Sequence, residues 1–121
     1  MGSNTQFSSN YIKLRQLDVR EREIRLNFQK AQEIVSDLRA IARDTRNVAD
    51  GQLQGSLNRV EQSWRGENSQ EFIRKGSQHK NDVHAMAGDV DKIANTIEQI
   101  ATNLYNAERE AVRIARERLS S

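Results

Sequence analysis

The sequence predicts an all-α chain, folded as a hairpin of two long helices, and three observations carry that prediction. Only 36% of the 121 residues are apolar and 5% aromatic, against 30% charged, with no proline to interrupt a helix. That balance suits long, thin helices better than a thick globular core. Apolar residues recur at alternating spacings of three and four through both halves of the chain. Between the two patterns stands the stretch SWRGENSQEF, Ser63 to Phe72, which holds the single tryptophan.

A chain of this length has room for one domain. The absence of cysteine excludes a disulfide framework, a thiolate nucleophile and sulfur ligands for zinc, and leaves the redox compartment open. Nineteen Lys and Arg stand against 17 Asp and Glu, so the net charge is only +2. Such interleaved charge makes a mixed, solvated surface, and no nucleic-acid partner is expected. No stretch approaches the roughly 18 apolar residues of a spanning helix, so no membrane insertion is expected.

Residues 1–9 are polar and small and are expected to form a flexible tail, with Ser8, Ser9 and Asn10 as candidate caps for the first helix. Helix 1 is expected over about residues 10–64. Ile24, Phe28, Ala31, Val35, Leu38, Ala42, Thr45 and Ala49 follow one another at threes and fours, the spacing of a heptad seam. Ile34, Ile41 and Val48 run beside it at sevens and widen the stripe. After Ala49 the pattern resumes at Leu53, Leu57, Val60 and Trp64, shifted in phase by one residue. The shift falls at Asp50 and Gly51, with Gly55 close behind, where altered winding or a short break is expected.

Helix 2 is expected over about residues 69–118. Val83, Met86, Val90, Ile93, Ile97, Ile100, Leu104, Ala107, Ala111 and Ile114 keep the alternation. Ala87, Ala94, Ala101 and Ala115 flank them. The turn is placed at residues 65–68. Trp64 ends the first stripe, Gly66 supplies the left-handed conformation that stops a helix, and Asn68 with Glu71 fits a capping box. Trp64 and Phe72 then close the tip of the hairpin, where a large ring covers the most area per residue.

Two helices of similar length joined at W-x-G, with a phenylalanine a few residues on, resemble the WXG family of small proteins handled by type VII (ESX) secretion systems. Trp64 and Gly66 match the motif, and the resemblance covers the chain from the start of the first helix onward. It implies helical hairpins that pair as homodimers or heterodimers into antiparallel four-helix bundles. It further implies secretion from the cytoplasm without a cleaved signal peptide, and contact with the type VII machinery. The family's export signal is a Tyr followed four residues later by Asp or Glu. Here Tyr105 is well placed, but Arg109 stands four residues on, between Glu108 and Glu110. Tyr105 and Glu108 are therefore an imperfect match. The chain is also longer than a typical member.

Pairing is expected on physical grounds as well. A hairpin buries one side of each stripe and leaves flanking rows, Ile34, Ile41 and Val48 with Ala87, Ala94 and Ala101, in water. Each buried Ile, Leu or Val contributes about 1.5–3 kcal/mol, so a second hairpin over those rows is a substantial gain. The core of the resulting bundle is assigned to Phe28, Val35, Leu38, Ile41, Leu57, Val90, Ile93, Ile97, Ile100 and Leu104.

No residue pattern points to catalysis, to a cofactor or to a metal. His79 and His84 are five apart, not the four that lets two imidazoles share an ion on one helical face, and Asp82 between them lacks a fourth partner. No G-x-S-x-G elbow and no phosphate-cradling glycine loop is present. Arg109, Arg113 and Arg116 have the spacing to meet phosphates or an anionic surface, but interleaved Glu108, Glu110 and Glu117 make intrahelical pairing the simpler account. The expected function is thus a non-enzymatic, secreted helical interaction protein, a WXG-type substrate or adaptor. The alternatives are a dedicated small partner of a larger secreted toxin, and an intracellular nucleic-acid-binding or scaffolding coiled coil.

Overall fold

The structure, a computed structural model, describes residues 2–64 and 66–120. The described chain is all-α, in the order α1 (Gly2–Asn47), a π-helical segment (Val48–Leu53), α2 (Gln54–Ser63) and α3 (Glu67–Ser120), with no strand among the described residues. The helix starts at Gly2 and takes in the polar stretch expected as a tail. No proline or glycine lies between Gly2 and Tyr11 to halt it, and once a helix exists each further residue adds a hydrogen bond.

The phase shift at Asp50 and Gly51 is taken up by altered winding without a break. Asn47 and Gln54, on either side of the π-helical segment, both keep right-handed helical dihedrals, and the Gln54 N–H reaches the Ala49 carbonyl five residues back. A wider turn accommodates one extra residue. Buried Val35, Ala42 and Ala49 stand seven apart, and the next buried residue, Leu57, follows after eight.

α2 ends at Ser63 and α3 begins at Glu67, against the turn expected at 65–68. Trp64 leaves the helix in an extended conformation (φ −128°, ψ 119°), and Gly66 has φ +122°, where a β-carbon is strained. The Gly66 carbonyl accepts the Gln70 N–H at 3.2 Å and the Ser69 hydroxyl at 2.7 Å. This leaves Ser69 buried but satisfied. Asn68 does not cap the helix, because α3 has already begun at Glu67, and Glu71 turns to Arg74 at 2.6 Å instead of reaching back.

Contacts divide the chain into two compact units, Ile34–Thr96 and Met1–Glu33 with Ile97–Ser121. In the first unit the core is a seam of small residues. Ala42, Ala49, Ala87 and Ala94 have no exposed surface, and Val35 has 1%. Gly76 continues the close approach, since a β-carbon there would lie 2.3 Å from Leu57 Cδ2. In the second unit Ile24 and Val112 are buried, and the Phe28 and Tyr105 rings stack with centroids 4.4 Å apart. Within each unit, residue numbers fall along α3 as they rise along the partner segment, as in Arg46–Asp91 and Arg39–Asn95, or Arg20–Glu108 and Arg116–Asp18.

The two faces of α3 are exchanged relative to the expected arrangement. Ala87 and Ala94, assigned to the wet flank, are buried, while Met86, Ile93, Ile100 and Leu104, assigned to the seam, are more than half exposed. Alanine against alanine lets two backbones approach closely, whereas the larger neighbours one position away would hold them apart if they faced inward.

Gly88 has open space where a β-carbon would stand. Gly88→Ala is therefore expected to raise stability by about 0.5–1 kcal/mol. Gly66→Ala is expected to lower it by about 1–3 kcal/mol through backbone strain. Urea unfolding of both variants at one protein concentration checks the pair.

Candidate interaction surface

Within the unit Ile34–Thr96 the two edges of the buried seam differ in kind. One edge is laced by polar contacts to α3. The Arg39 guanidinium donates to Asn95 Oδ1 at 3.2 Å, Arg46 to Asp91 Oδ2 at 2.5 Å, and Lys80 Nζ to Gln54 Oε1 at 2.8 Å. His84 Nε2 meets Asp50 Oδ1 at 2.7 Å, which fastens the π-helical segment to α3.

Among the described residues the other edge has no such lacing, and it is apolar. Ile34 and Ile41 on α1 and Val48 at the start of the π-helical segment lie seven apart, and Met86 and Ile93 lie seven apart on α3, each 42–61% exposed. At 100° per residue each row sits about 100° round its helix from the buried alanines. The turn has the same sense on both helices. Because the two run in opposite directions, both rows emerge on one side, with half-buried Leu38 and Val90 between them. The larger side chains thus form one apolar face, and the polar clasps occupy its opposite.

Of the residues expected in a bundle core, Val35 and Leu57 are buried within the chain, and Phe28, Leu38, Val90 and Ile97 are half-buried. Ile41, Ile93, Ile100 and Leu104 are exposed. Trp64 and Phe72 meet as a tilted pair with centroids 5.9 Å apart, yet each keeps about half its surface in water (48% and 50%). They make an aromatic surface at the turn, and Trp64 lines an open groove together with Gly66, Ser69 and Ile73.

The two residues weighed as an export signal face the N-terminal segment of their own unit. Tyr105 stacks on Phe28 and lies under the Arg109 guanidinium, 5.3 Å from the ring centre, and Glu108 stands 3.7 Å from Arg20. The arginines of the same run are engaged as intrahelical pairing predicts, in part. Arg113 pairs with Glu110 and Glu117, but Arg116 reaches to Asp18 at 2.6 Å and Glu21 at 3.1 Å on α1. The Arg116 hydrogen bond holds the Asp18 carboxyl below its ordinary 3.8, and Arg113 holds Glu110 below its ordinary 4.5. Sequence reasoning missed the His84–Asp50 contact. Its only signal was that both residues flank positions of the seam.

Among the described residues no group of three His, Asp or Glu side chains is placed to hold a metal ion, and no helix is long and apolar enough to cross a membrane. The groove around Arg109, Arg113 and Arg116 is also lined by Glu21 and Glu110, so its charge is mixed.

Ala94→Leu places a large side chain in the closed alanine seam and is expected to cost about 1–3 kcal/mol in chemical unfolding. The depressed Asp18 carboxyl makes its contact with Arg116 available above the ordinary range and lost as pH falls through its own lower value. Carboxyl NMR titration is expected to give a midpoint below 3.8 for Asp18, returning upward in Arg116→Gln. No protein-family model, curated protein or solved structure matches the chain.

Proposed function

We propose that the chain is a non-enzymatic helical interaction protein, a two-helix hairpin that pairs through its bare apolar face into a four-helix bundle. The observation that carries this reading is the asymmetry of the two edges. Polar clasps fasten one, while Ile34, Ile41, Val48, Met86 and Ile93 stand uncovered on the other. Isolated exposed apolar residues are ordinary on protein surfaces, but aligned rows at heptad spacing on two adjacent helices are the usual sign of a partner.

A second copy of the chain is the occupant proposed, because each copy offers the other the same two rows.

Together with the W-x-G reversal, whose Gly66 has the positive φ that such a turn uses, this arrangement favours a WXG-type substrate or adaptor of type VII secretion, exported as a folded pair. A second reading has one observation in its favour. Arg109 occupies the position four residues after Tyr105 where the export signal calls for an acid. A chain lacking its own signal would travel as the small partner of a larger secreted protein.

Light scattering on the purified chain is expected to give a dimer. The double variant Ile41→Asp with Ile93→Asp puts charge into the face and is expected to raise the dimer Kd by about 100-fold or more. A well-folded wild-type monomer at high concentration ends the proposal. Obligate co-purification with a larger protein encoded beside it selects the second reading. Export that continues in the Tyr105→Ala, Glu108→Ala variant removes the signal from these residues.

A further inference from the structure

A third apolar row lies in the other unit, Met1–Glu33 with Ile97–Ser121. Ile12, Val19 and Leu26 stand seven apart on α1 and are 56%, 48% and 50% exposed. The side of α1 that meets α3 is marked by Ile24 and Phe28, which share a small cleft with Ala101 and Tyr105. At 100° per residue Val19 and Leu26 lie about 140° and about 160° round the helix from Ile24. The row therefore faces away from α3. We propose that this outer face of α1 lies on an anionic lipid surface, with the row at the headgroup boundary and the cations beside it meeting lipid phosphates and carboxylates. It would lie on the bilayer without spanning it, and it uses a different face from the one proposed for pairing.

Charge singles out this occupant. From Ile12 to Lys30 there are six Lys and Arg against three Asp and Glu, a larger surplus than the +2 of the whole chain. Two of those three acids are already engaged, Asp18 and Glu21 accepting from Arg116 of α3 at 2.6 Å and 3.1 Å. Arg15 and Arg22, three residues after Ile12 and Val19, border the row on one side, and Lys30 follows Leu26 by four. Arg15 donates to the Tyr11 hydroxyl at 3.4 Å, and among the described residues Arg22 and Lys30 hold no hydrogen bond or ion pair. The other border carries Gln16 and the single remaining acid, Glu23. A shallow, mainly apolar cleft runs there, lined by Ile12, Arg15, Gln16, Val19, Arg20 and Glu23.

A protein helix fits this face less well. A coiled-coil partner interdigitates with two apolar positions in each heptad, and here the second position is Arg15 and Arg22 or Gln16 and Glu23. A second copy would bring the same unpaired cations against them. A bilayer surface needs only an apolar ridge with long cationic side chains beside it, whose stems lie on the ridge while their heads reach the phosphates. Three aliphatic side chains are less apolar surface than one acyl chain, which by itself attaches only marginally. Attachment is therefore expected to depend on anionic lipid, each cation held at the surface contributing about fivefold in partitioning.

Sedimentation of the full chain with vesicles tests this, with circular dichroism confirming helicity of every variant. The wild type is expected to sediment with vesicles of phosphatidylcholine and phosphatidylserine in equal parts, to stay in solution with phosphatidylcholine alone, and to be released as salt rises from about 0.1 M to about 1 M and the screening length falls from about 10 Å to about 3 Å. Arg15→Gln with Arg22→Gln is expected to lower partitioning by about 25-fold, and Val19→Asp by about tenfold or more. Arg59→Gln with Lys75→Gln removes the same charge elsewhere and is expected to change it by less than about twofold. A wild type that ignores the mixed vesicles, that binds neutral ones equally, or whose binding survives both the Arg15, Arg22 and the Val19 changes overturns the inference. So does an Arg59, Lys75 variant that loses as much as the Arg15, Arg22 variant. Binding to polyglutamate in solution without binding to the mixed vesicles assigns the face to an acidic protein instead and likewise overturns it.

Discussion

The complete burial of Ala42, Ala49, Ala87 and Ala94 is the constraint from which the rest of the unit Ile34–Thr96 follows. All four have lost their whole surface. A β-methyl group is the smallest side chain that still excludes water, so helices meeting on alanine bring their backbones near and place every neighbouring position accordingly. Residues on one side of that line come within reach of each other as arginine, aspartate, histidine and lysine partners. On the other side Ile41 and Ile93 are left without cover, although they are the larger and more apolar groups. A seam built on the big residues would have buried more area per contact but kept the chains farther apart.

That same choice explains how much was legible in the sequence. Helical content was plain, because the spacing of three and four runs through both halves and no proline interrupts it. The place where the helices are interrupted was plain as well, since Trp64 and Gly66 stand between two otherwise steady patterns. Which of two adjacent rows faces inward was not. Ala94 and Ile93 are one position apart, both at heptad spacing from like neighbours, and periodicity cannot tell a buried alanine row beside exposed isoleucines from the reverse. Hydrophobicity favours the isoleucine and close approach favours the alanine, and only the packed structure decides between them.

The polar contacts were less legible still. Arg46 with Asp91 and Asp50 with His84 are 45 and 34 residues apart in the chain, so no local spacing announces them. They depend on the register between helices. The Asn68 capping box failed for a local reason: α3 has already begun at Glu67, and Glu71 pairs with Arg74 instead of reaching back.

The π-helical segment bears on the register in its own way. A helix in a two-stranded pairing resembles a gear, in which one surplus tooth throws every later tooth out of mesh. Widening a single turn at Val48–Leu53 absorbs the surplus where it arises, and Leu57 meshes with the gap left at Gly76 as if nothing had been added. Segments before and after such a turn are uncoupled in length, so a residue can be gained there without redrawing the rest of the interface.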